Sequence, residues 1–533
     1  MRARWLLTSL VACGAIGFAC TTGKIGDNDV AGANGGTTEA AIDGVGKIGM
    51  RRLTRKEYDA TVNDLLFEEN NAGFKALPED VRDPFDNDFT TQNVSGALID
   101  AAETLATNAA QRALATAKSK LVTCTETGPG DVACLKTFIR SFGRRAFRHT
   151  LADDDVERYA ALSALAIEGK DFYVGVECVI RAMLQDPRFL YRVELGTPVE
   201  GRPGVYQLDD WEIGTRLSYF FWGTTPDEEL LAAAGKGELH TVAQVKGQAT
   251  RLLASPRSHE RIHRFHALWL GYEQLPHDPT LTLAMKKESA ALIDRVVFEN
   301  KLSWFDLFKS TETYLDTTLA KHYGLPEPAG GAGWVSVAGT PRKGLLSHGS
   351  FLSVAGKFGD TSPTQRGILI RTRLLCQDIP PPPPGVNVDE PPSAASAKCK
   401  YDRYEMHRKG GCAGCHEKMD PVGFGLERFD QAGKYRTEEA ANPECKITGE
   451  GKLTETGNFN GPGELSDRLV ESGLLERCLV TQVYRFAMGH REKPEDQPYL
   501  DTLGKGFKSS GFRFDQLLTD LVSTEWFLYR REE

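Results

Sequence analysis

GGCAGCHEKMDPVGFGLERFD runs from Gly410 to Asp430, and its first half contains Cys412, Cys415 and His416. Two cysteines two residues apart with a histidine directly behind them form the attachment pattern of a c-type haem. Thiols at this spacing lie on one helical turn, where they can reach the two vinyl groups of a porphyrin while the histidine ligates its iron. A disulfide, a redox dithiol and a metal site stay open as alternatives. The pattern favours one haem c, held by both cysteines, with His416 as the proximal ligand.

The motif does not fix the sixth ligand of the iron, and three side chains are candidates. His407 lies five residues before Cys412, and His266 lies in a helical region far upstream. Met488 lies 72 residues after His416, a plausible distance for a distal methionine, although packing in a helix core is its favoured interpretation. An open sixth position would indicate small-molecule or peroxide chemistry rather than pure electron transfer.

The residues after the motif are expected to complete its surroundings. Phe424, Leu426 and Phe429 could supply part of an apolar cover for the porphyrin. A backbone carbonyl near Pro421 could accept the ring N–H of His416 and so fix its tautomer.

Upstream of the motif, five consecutive prolines, Pro380 to Pro384, predict an extended linker. The fold class is predicted to be mainly α: a multi-segment helical body, joined by this Pro-rich arm to a smaller cytochrome-c-like helical region with a short β-hairpin. The predicted segments are a signal peptide (1–20), a flexible tether (21–46), three helical blocks (47–130, 131–200 and 201–376), the Pro-rich linker (377–398), a haem-motif block (399–440) and a C-terminal helical block (441–533).

Apolar periodicity carries the helical prediction. Arg51 to Phe67 spaces its apolar side chains along one stripe. Gly96 to Leu121 is predicted to be one long Ala-rich helix. Ser362 is a plausible N-cap, with Pro363 at the first helical position of another helix. The segment from Lys446 to Phe459 has the side-chain alternation and the glycines that are typical of a short β-hairpin.

The N-terminus determines the expected compartment. A basic start and a short apolar run to Phe18 predict an export signal. Ala19 before Cys20 resembles a lipoprotein processing site, so Cys20 is expected to carry a lipid that attaches the protein to a membrane surface, the outer membrane rather than the inner. A cleaved signal without lipid is the alternative. The net charge of −9, without a basic block, argues against nucleic acid as a partner.

Export also suits the cysteine content, because an oxidising compartment lets cysteines pair. Cys124 and Cys134 bracket a natural closed loop, whereas Cys445 and Cys478 bracket a Gly-rich segment. Cys178, inside an apolar helical pattern, is expected to stay free. The candidates for disulfides are Cys124, Cys134, Cys376, Cys399, Cys445 and Cys478.

A second motif lies at His259 to His263, where the sequence matches H-E-x-x-H, the zinc-binding signature of a class of metalloproteases. With Ser258 as the expected N-cap, the motif would occupy the first turn of its helix. The longer metzincin pattern fails because His266 stands where glycine is required. A solvated helix start is therefore the preferred interpretation.

Taken together, these segments resemble the planctomycete-type cytochrome-c-like family, exported proteins built from serial domains of unknown function numbered 1587, 1595, 1592, 1588 and 1585. The stretches that carry the resemblance are RRLTRKEYDATVNDLL (51–66), SFGRRAFRHTL (141–151), AMLQDPRFLYRVE (182–194), RLSYFFWGTTPDEELL (216–231), FHALWL (265–270), TSPTQRGILIRTRLLCQDIPPPPPGV (361–386), the haem motif with DPVGFGLERFD (420–430), and YRFAMGHRE (484–492).

The resemblance implies haem at Cys412, Cys415 and His416, but it implies no substrate. His407 and His266 match histidines of the family, whereas Met488 stands where the family generally has leucine. The leading hypothesis is an electron-transfer protein, or the redox subunit of an envelope oxidoreductase, with a redox partner protein. A haem enzyme of peroxidase or dehydrogenase type acting on an extracellular substrate is the second hypothesis. A structural or binding lipoprotein with a disulfide in place of haem is the third.

Overall fold

The computed structural model describes residues 49–532 except 358, 385, 387, 389 and 393–396. The predicted signal peptide, the lipid site at Cys20 and the tether therefore lie outside the described residues. Within the described part of the chain, no helix is long and apolar enough to cross a membrane.

Helices dominate, so the mainly α prediction is confirmed. The first helix shows why they form where they do: Thr54 and Glu57 make a capping box, and Tyr58, Val62 and Leu65 are buried along one face. In the first half of the chain the helices are α1 (Arg55–Leu66), α2 (Ala72–Ala76), α3 (Gly96–Thr116), α4 (Lys118–Leu121), α5 (Val132–Phe147), α6 (Asp153–Ala160), α7 (Ser163–Gly169), α8 (Phe172–Gln185), α9 (Pro187–Leu190), α10 (Asp210–Phe221), α11 (Glu228–Gly235), α12 (Val242–Leu253) and α13 (Pro256–Leu270).

The single long helix expected from Gly96 to Leu121 is interrupted at Ala117, where the backbone leaves the helical region (φ −129°, ψ 17°). The remaining helices are α14 (Pro279–Ile293), α15 (Asp306–Lys309), α16 (Thr317–Tyr323), α17 (Gly349–Leu352), α18 (Pro363–Leu369), α19 (Lys400–Arg403), α20 (Ala413–Phe424), α21 (Gly461–Glu471), α22 (Leu474–Met488), α23 (Gln497–Ser509) and α24 (Phe514–Val522). Two of them, α14 and α18, continue as short π-helices, over Asp294–Glu299 and Ile370–Leu374.

Strands are short and pair antiparallel. The predicted hairpin is present as two paired strands, Glu450–Leu453 and Gly457–Asn460, with Gly451 opposite Phe459. The strands are β1 (Arg51–Arg52), β2 (Tyr191–Arg192), β3 (Thr197–Pro198), β4 (Val205–Gln207), β5 (Glu312–Asp316), β6 (Ala332–Ser336), β7 (Gly356–Lys357), β8 (Asp360–Thr361), β9 (Glu438–Glu439), β10 (Asn442–Lys446), β11 (Glu450–Leu453), β12 (Gly457–Asn460) and β13 (Tyr529–Arg531).

All described residues belong to one compact unit. The first two helical blocks share one buried apolar cluster, in which Phe138, Ile180 and Phe189 take part. A second cluster contains residues of the main helical block, Val422 and Leu426 of residues 399–440 (the motif block from here on), and the C-terminal helices. The motif block therefore shares a hydrophobic core with the helical body.

Two glycines bring the motif block against the body. A Cβ atom on Gly367 of α18 would lie 2.0 Å from the carbonyl oxygen of Met419, and one on Gly423 of α20 would lie 1.8 Å from the carbonyl oxygen of Pro363. Only glycine permits this approach, because any side chain would overlap the backbone of the other helix. As predicted, Ser362 caps α18 and Pro363 is its first residue.

Buried charges hold the chain that follows α20. Arg366 of α18 donates hydrogen bonds to the carbonyl oxygens of Leu426 and Phe429, and it pairs with Glu427 at 3.0 Å. Lys400 also contacts Glu427, at 3.1 Å. All three charged side chains are nearly inaccessible to solvent, and the buried carboxylate of Glu427 is compensated by the two cations.

Three disulfides join the six candidate cysteines: Cys124 with Cys134, Cys376 with Cys478, and Cys399 with Cys445. Cys445 and Cys478, which bracket the Gly-rich segment, are therefore not bonded to each other. Cys445 lies on β10, beside the start of α19, whereas Cys478 lies on α22, beside the end of the π-helix that follows α18. Cys178 is free.

Candidate haem site

The motif begins at the start of a helix. Gly410 has a left-handed backbone (φ +57°) and opens a 3₁₀ turn, Gly410–Cys412, that leads directly into α20. Cys412 is at the N-cap position of α20, Cys415 is in its first turn, and both thiols are free and exposed. The two sulfur atoms are thus presented to solvent from one helical turn.

A buried carboxylate holds His416. Asp420, one turn further along α20, lies with both carboxylate oxygens 3.1 Å from Nδ1 of His416. Its Oδ2 is also 3.0 Å from Nδ1 of His407, and its Oδ1 accepts a hydrogen bond of 2.6 Å from the hydroxyl of Thr364 on α18. The expected acceptor, a backbone carbonyl near Pro421, is therefore replaced by this side chain.

The ionisation of Asp420 follows from its partners. Burial alone would raise the pKa of this carboxyl group, but the hydrogen bonds from His407, His416 and Thr364 outweigh burial and lower it. An ionised carboxylate can only accept hydrogen bonds, so both histidines must carry their proton on Nδ1. In its neutral form, His416 then keeps the lone pair of Nε2 free for a metal.

An open cleft of about 830 Å³ lies beside His416, between α20 and the β11–β12 hairpin. This volume is within the range of cofactor pockets. Phe424 lines the cleft as expected, whereas Leu426 and Phe429 are packed in the protein core at 1% and 0% exposure and cannot cover a porphyrin there. The lining residues are Tyr401, Arg408, His416, Glu417, Asp420, Pro421, Phe424, Glu450, Gly451, Lys452, Thr454, Asn458, Phe459, Asn460 and Glu464.

These features fit a covalently attached haem. The thiols of Cys412 and Cys415 are unpaired although they are close in sequence, and His416 has the tautomer that leaves Nε2 available. The cleft beside His416 has the volume of a cofactor pocket. The residues present therefore suit the group that the motif predicts.

The structure argues against His407 as the distal ligand. The rings of His407 and His416 lie only 3.9 Å apart, and both present Nδ1 to the same carboxylate of Asp420. Their Nε2 atoms consequently point away from one shared anchor. The two imidazoles therefore lie side by side at one carboxylate, not opposed to each other as a pair of ligands to one ion would be.

His266 is excluded by its own partners. It is fully buried on α13, where its Nδ1 donates a hydrogen bond to the carbonyl of Ile262 and its Nε2 accepts one from the indole of Trp304. Burial lowers the pKa of His266 to about 3. Both ring nitrogens are thus occupied inside the core. Met488, at the end of α22, is 3% exposed and packs in the core, in agreement with the helix-core packing predicted for it.

The H-E-x-x-H motif lies on α13, but the helix begins earlier than expected. Ser255, not Ser258, is the N-cap, because Pro256 is the first helical residue. One carboxylate oxygen of Asp294 lies 2.9 Å from Nδ1 of His259 and 2.8 Å from Nε2 of His263. The two histidines flank this oxygen as hydrogen-bonding partners. They are not among the side-chain groups of the described residues whose ligand atoms converge closely enough for a metal ion.

Sequence reasoning missed Asp420 and Thr364. The available signal for Asp420 is its spacing, since a residue four positions after His416 lies on the same helix face. Thr364 carries no such signal, because it lies far from the motif in sequence.

The fold is mainly helical, and its motif block presents the Cys-x-x-Cys-His sequence at the start of α20. Family models match five consecutive segments, and each is described as a protein of unknown function. They are DUF1587 at 51–115, DUF1595 at 134–194, DUF1592 at 208–325, DUF1588 at 342–439 and DUF1585 at 456–527. The chain belongs to the planctomycete cytochrome-c-like family that is built from these domains. No match was found among curated proteins or among solved structures.

Proposed function

We propose that the chain is an exported c-type haem protein that transfers electrons, either alone or as the redox subunit of an envelope oxidoreductase. The observation that carries the proposal is the state of the motif. Cys412 and Cys415 are free and exposed on one turn, directly before a histidine whose Nδ1 is bound to a carboxylate. In this role the two thiols hold the porphyrin, His416 ligates the iron, and the bound haem supplies a one-electron carrier.

The three disulfides support an oxidising compartment outside the cytoplasm, because cytoplasmic thiols are kept reduced. We further propose that Cys20 carries a lipid and that the protein is attached to the outer membrane, where it meets a redox partner protein. Incorporation of labelled palmitate tests the lipid: the wild type should be labelled and Cys20→Ala should not. An unlabelled wild type beside a labelled known lipoprotein would contradict the anchor.

The cleft favours a second candidate function, a haem enzyme acting on an extracellular substrate. The cavity of about 830 Å³ that would hold the porphyrin has charged walls, including Arg408 and Lys452, and the part of it that a haem leaves open could bind a small polar molecule. The spin state of the iron separates the two functions. Low-spin iron with two protein ligands supports electron transfer, whereas high-spin iron that binds peroxide supports the enzyme.

Haem attachment is tested after export from a strain that matures c-type cytochromes. The wild type should stain for haem on a denaturing gel and give a pyridine haemochrome spectrum of c type. Replacing Cys412 and Cys415 together by alanine should abolish the stain, and His416→Ala should remove the normal proximal ligation.

Cys178→Ala is the matched control, since Cys178 is also free but lies on α8 away from the motif. This variant should stain like the wild type. A folded wild-type protein that is colourless and unstained would refute the proposal and favour a disulfide between Cys412 and Cys415.

A further inference from the structure

Asp420 connects three elements at the base of the motif. It is only 3% exposed, and it accepts hydrogen bonds from His416 on its own helix, from His407 on a separate 3₁₀ turn, Tyr404–Arg408, and from Thr364 on α18. Three donors converge on the two oxygens of one buried carboxylate.

The position of this carboxylate is fixed by the backbone. The carbonyl of Met419, the residue before Asp420, lies directly against Gly367 of α18, and Gly423 of α20 lies against the carbonyl of Pro363. Because the two helices touch at the backbone, the backbone of Asp420 is held close to Thr364. The hydrogen bond from Thr364 to the carboxylate is therefore built into the contact between α18 and α20, and the same carboxylate accepts from His416 within α20.

A carboxylate changes a ligating histidine more strongly than a backbone carbonyl does. A hydrogen bond from Nδ1 to an ionised carboxylate gives the imidazole ring more imidazolate character and makes Nε2 a stronger electron donor. A stronger donor stabilises the more positive oxidation state of a bound metal. His407 weakens this effect, because it donates to the same carboxylate and takes part of its charge.

We propose that Asp420 is a positioning residue that fixes the orientation and tautomer of His416 and lowers the midpoint potential of the haem that His416 ligates. This inference rests on the proposed function, since it concerns the haem held at the same motif. It goes beyond that function by assigning control of the potential to one side chain.

The test is the midpoint potential of purified holoprotein, measured by spectroelectrochemical titration, in the wild type and in Asp420→Asn. Loss of a hydrogen-bonding partner behind a metal ligand typically changes metal affinity by about 10- to 100-fold. If that change falls on the oxidised iron, the potential rises by about 59 to 118 mV, at about 59 mV per tenfold for one electron.

Glu417→Gln is the matched control. Glu417 neighbours His416 on α20 and lines the same cleft, but it is exposed. The substitution removes the same charge near the site and leaves the hydrogen bond to His416 in place. It should shift the potential much less than Asp420→Asn, because an exposed charge is screened by solvent and salt. Equal shifts in the two variants would overturn the inference, since the effect would then be one of charge alone.

A second variant keeps the inference testable if Asp420→Asn does not fold. His407→Phe removes the competing donor and leaves the carboxylate to His416, so the potential should stay the same or fall. A rise in this variant would overturn the inference, as would an unchanged potential in a folded, haem-loaded Asp420→Asn protein. A wild type without covalent haem would instead refute the proposed function, so the two failures are distinguishable.

Discussion

Replacing Gly423 by alanine tests whether the contact between α18 and α20 holds the motif block against the helical body. The added Cβ atom would lie 1.8 Å from the carbonyl oxygen of Pro363 and 2.4 Å from its carbonyl carbon. These atoms are backbone, so no side chain can rotate out of the way. The helices must separate, and the hydrogen bond from Thr364 to Asp420 must lengthen with them.

The expected loss follows from two opposing terms. Alanine stabilises a helix interior by about 1 kcal/mol relative to glycine. Inserting a methyl group into a fully packed contact costs about 1–3 kcal/mol, and more where backbone must move. Gly247→Ala supplies the first term alone, because Gly247 lies inside α12 with no atom within 4 Å of a new Cβ. The difference between the two variants is then the cost of the overlap, about 1–3 kcal/mol or more.

The assay is urea unfolding followed by tryptophan fluorescence, with the free energies of unfolding compared at equal m-values. Gly247→Ala should unfold at the same or a higher urea concentration than the wild type, and Gly423→Ala at a clearly lower one. Equal stability of the two variants would refute the close backbone contact.

The remaining predictions concern covalent, electrostatic and hydrogen-bonded contacts in the same molecule. Replacing Cys376 and Cys478 by serine opens a loop with a sequence separation of 102, and we expect urea unfolding to show a loss of about 4–5 kcal/mol. Because the pKa of His266 is lowered to about 3 in the folded protein, stability present above about pH 6.5 should fall as the pH drops towards 3, by at most about 1.4 kcal/mol per pH unit. His266→Gln should reduce this acid dependence. Arg366→Leu should lower the free energy of unfolding by about 3–5 kcal/mol, because the buried carbonyl groups of Leu426 and Phe429 lose their donor and Glu427 loses one of its cations.

Each of these predictions has its own contradicting result. Dithiothreitol breaks all three disulfides of the wild type, so reduction should lower its stability at least as far as the double serine substitution does. An unchanged urea midpoint in both would contradict the disulfide. An identical acid dependence in the wild type and in His266→Gln would exclude His266 as its source. Arg366→Lys should recover only part of the loss, because one ammonium group cannot replace the several hydrogen bonds of the guanidinium. Full recovery would mean that charge alone matters there.

Local features of the fold were predictable from sequence. Ser362 and Pro363 predict the N-cap and the first residue of α18. The alternating pattern with glycines after Lys446 predicts the β11–β12 hairpin. These features depend on neighbours within a few residues, where backbone preferences act directly. The free state of the motif cysteines likewise agrees with the spacing that made a haem site the preferred interpretation.

Long-range partners were not predictable in the same way. Nothing in the sequence near Cys445 indicates that it pairs with Cys399 rather than Cys478, because pairing depends on which Cα atoms the fold brings within about 7 Å. Thr364 reaches Asp420 only because glycines allow two helices to touch. The partners of the ligand candidates could not be predicted for a related reason, since periodicity does not reveal that His266 has a core partner for each ring nitrogen.

The disulfide between Cys376 and Cys478 has a consequence for proteolysis. Cys376 directly precedes the Pro-rich residues 377–398, in which residues 380–384 are exposed, and its partner lies on the far side of this segment in sequence. A protease that cuts this segment once therefore produces two polypeptides that stay covalently linked. On a gel without reductant the nicked protein would migrate near the size of one chain, and with reductant it would separate into two fragments. Intact size under non-reducing conditions is thus no proof that the chain is uncut.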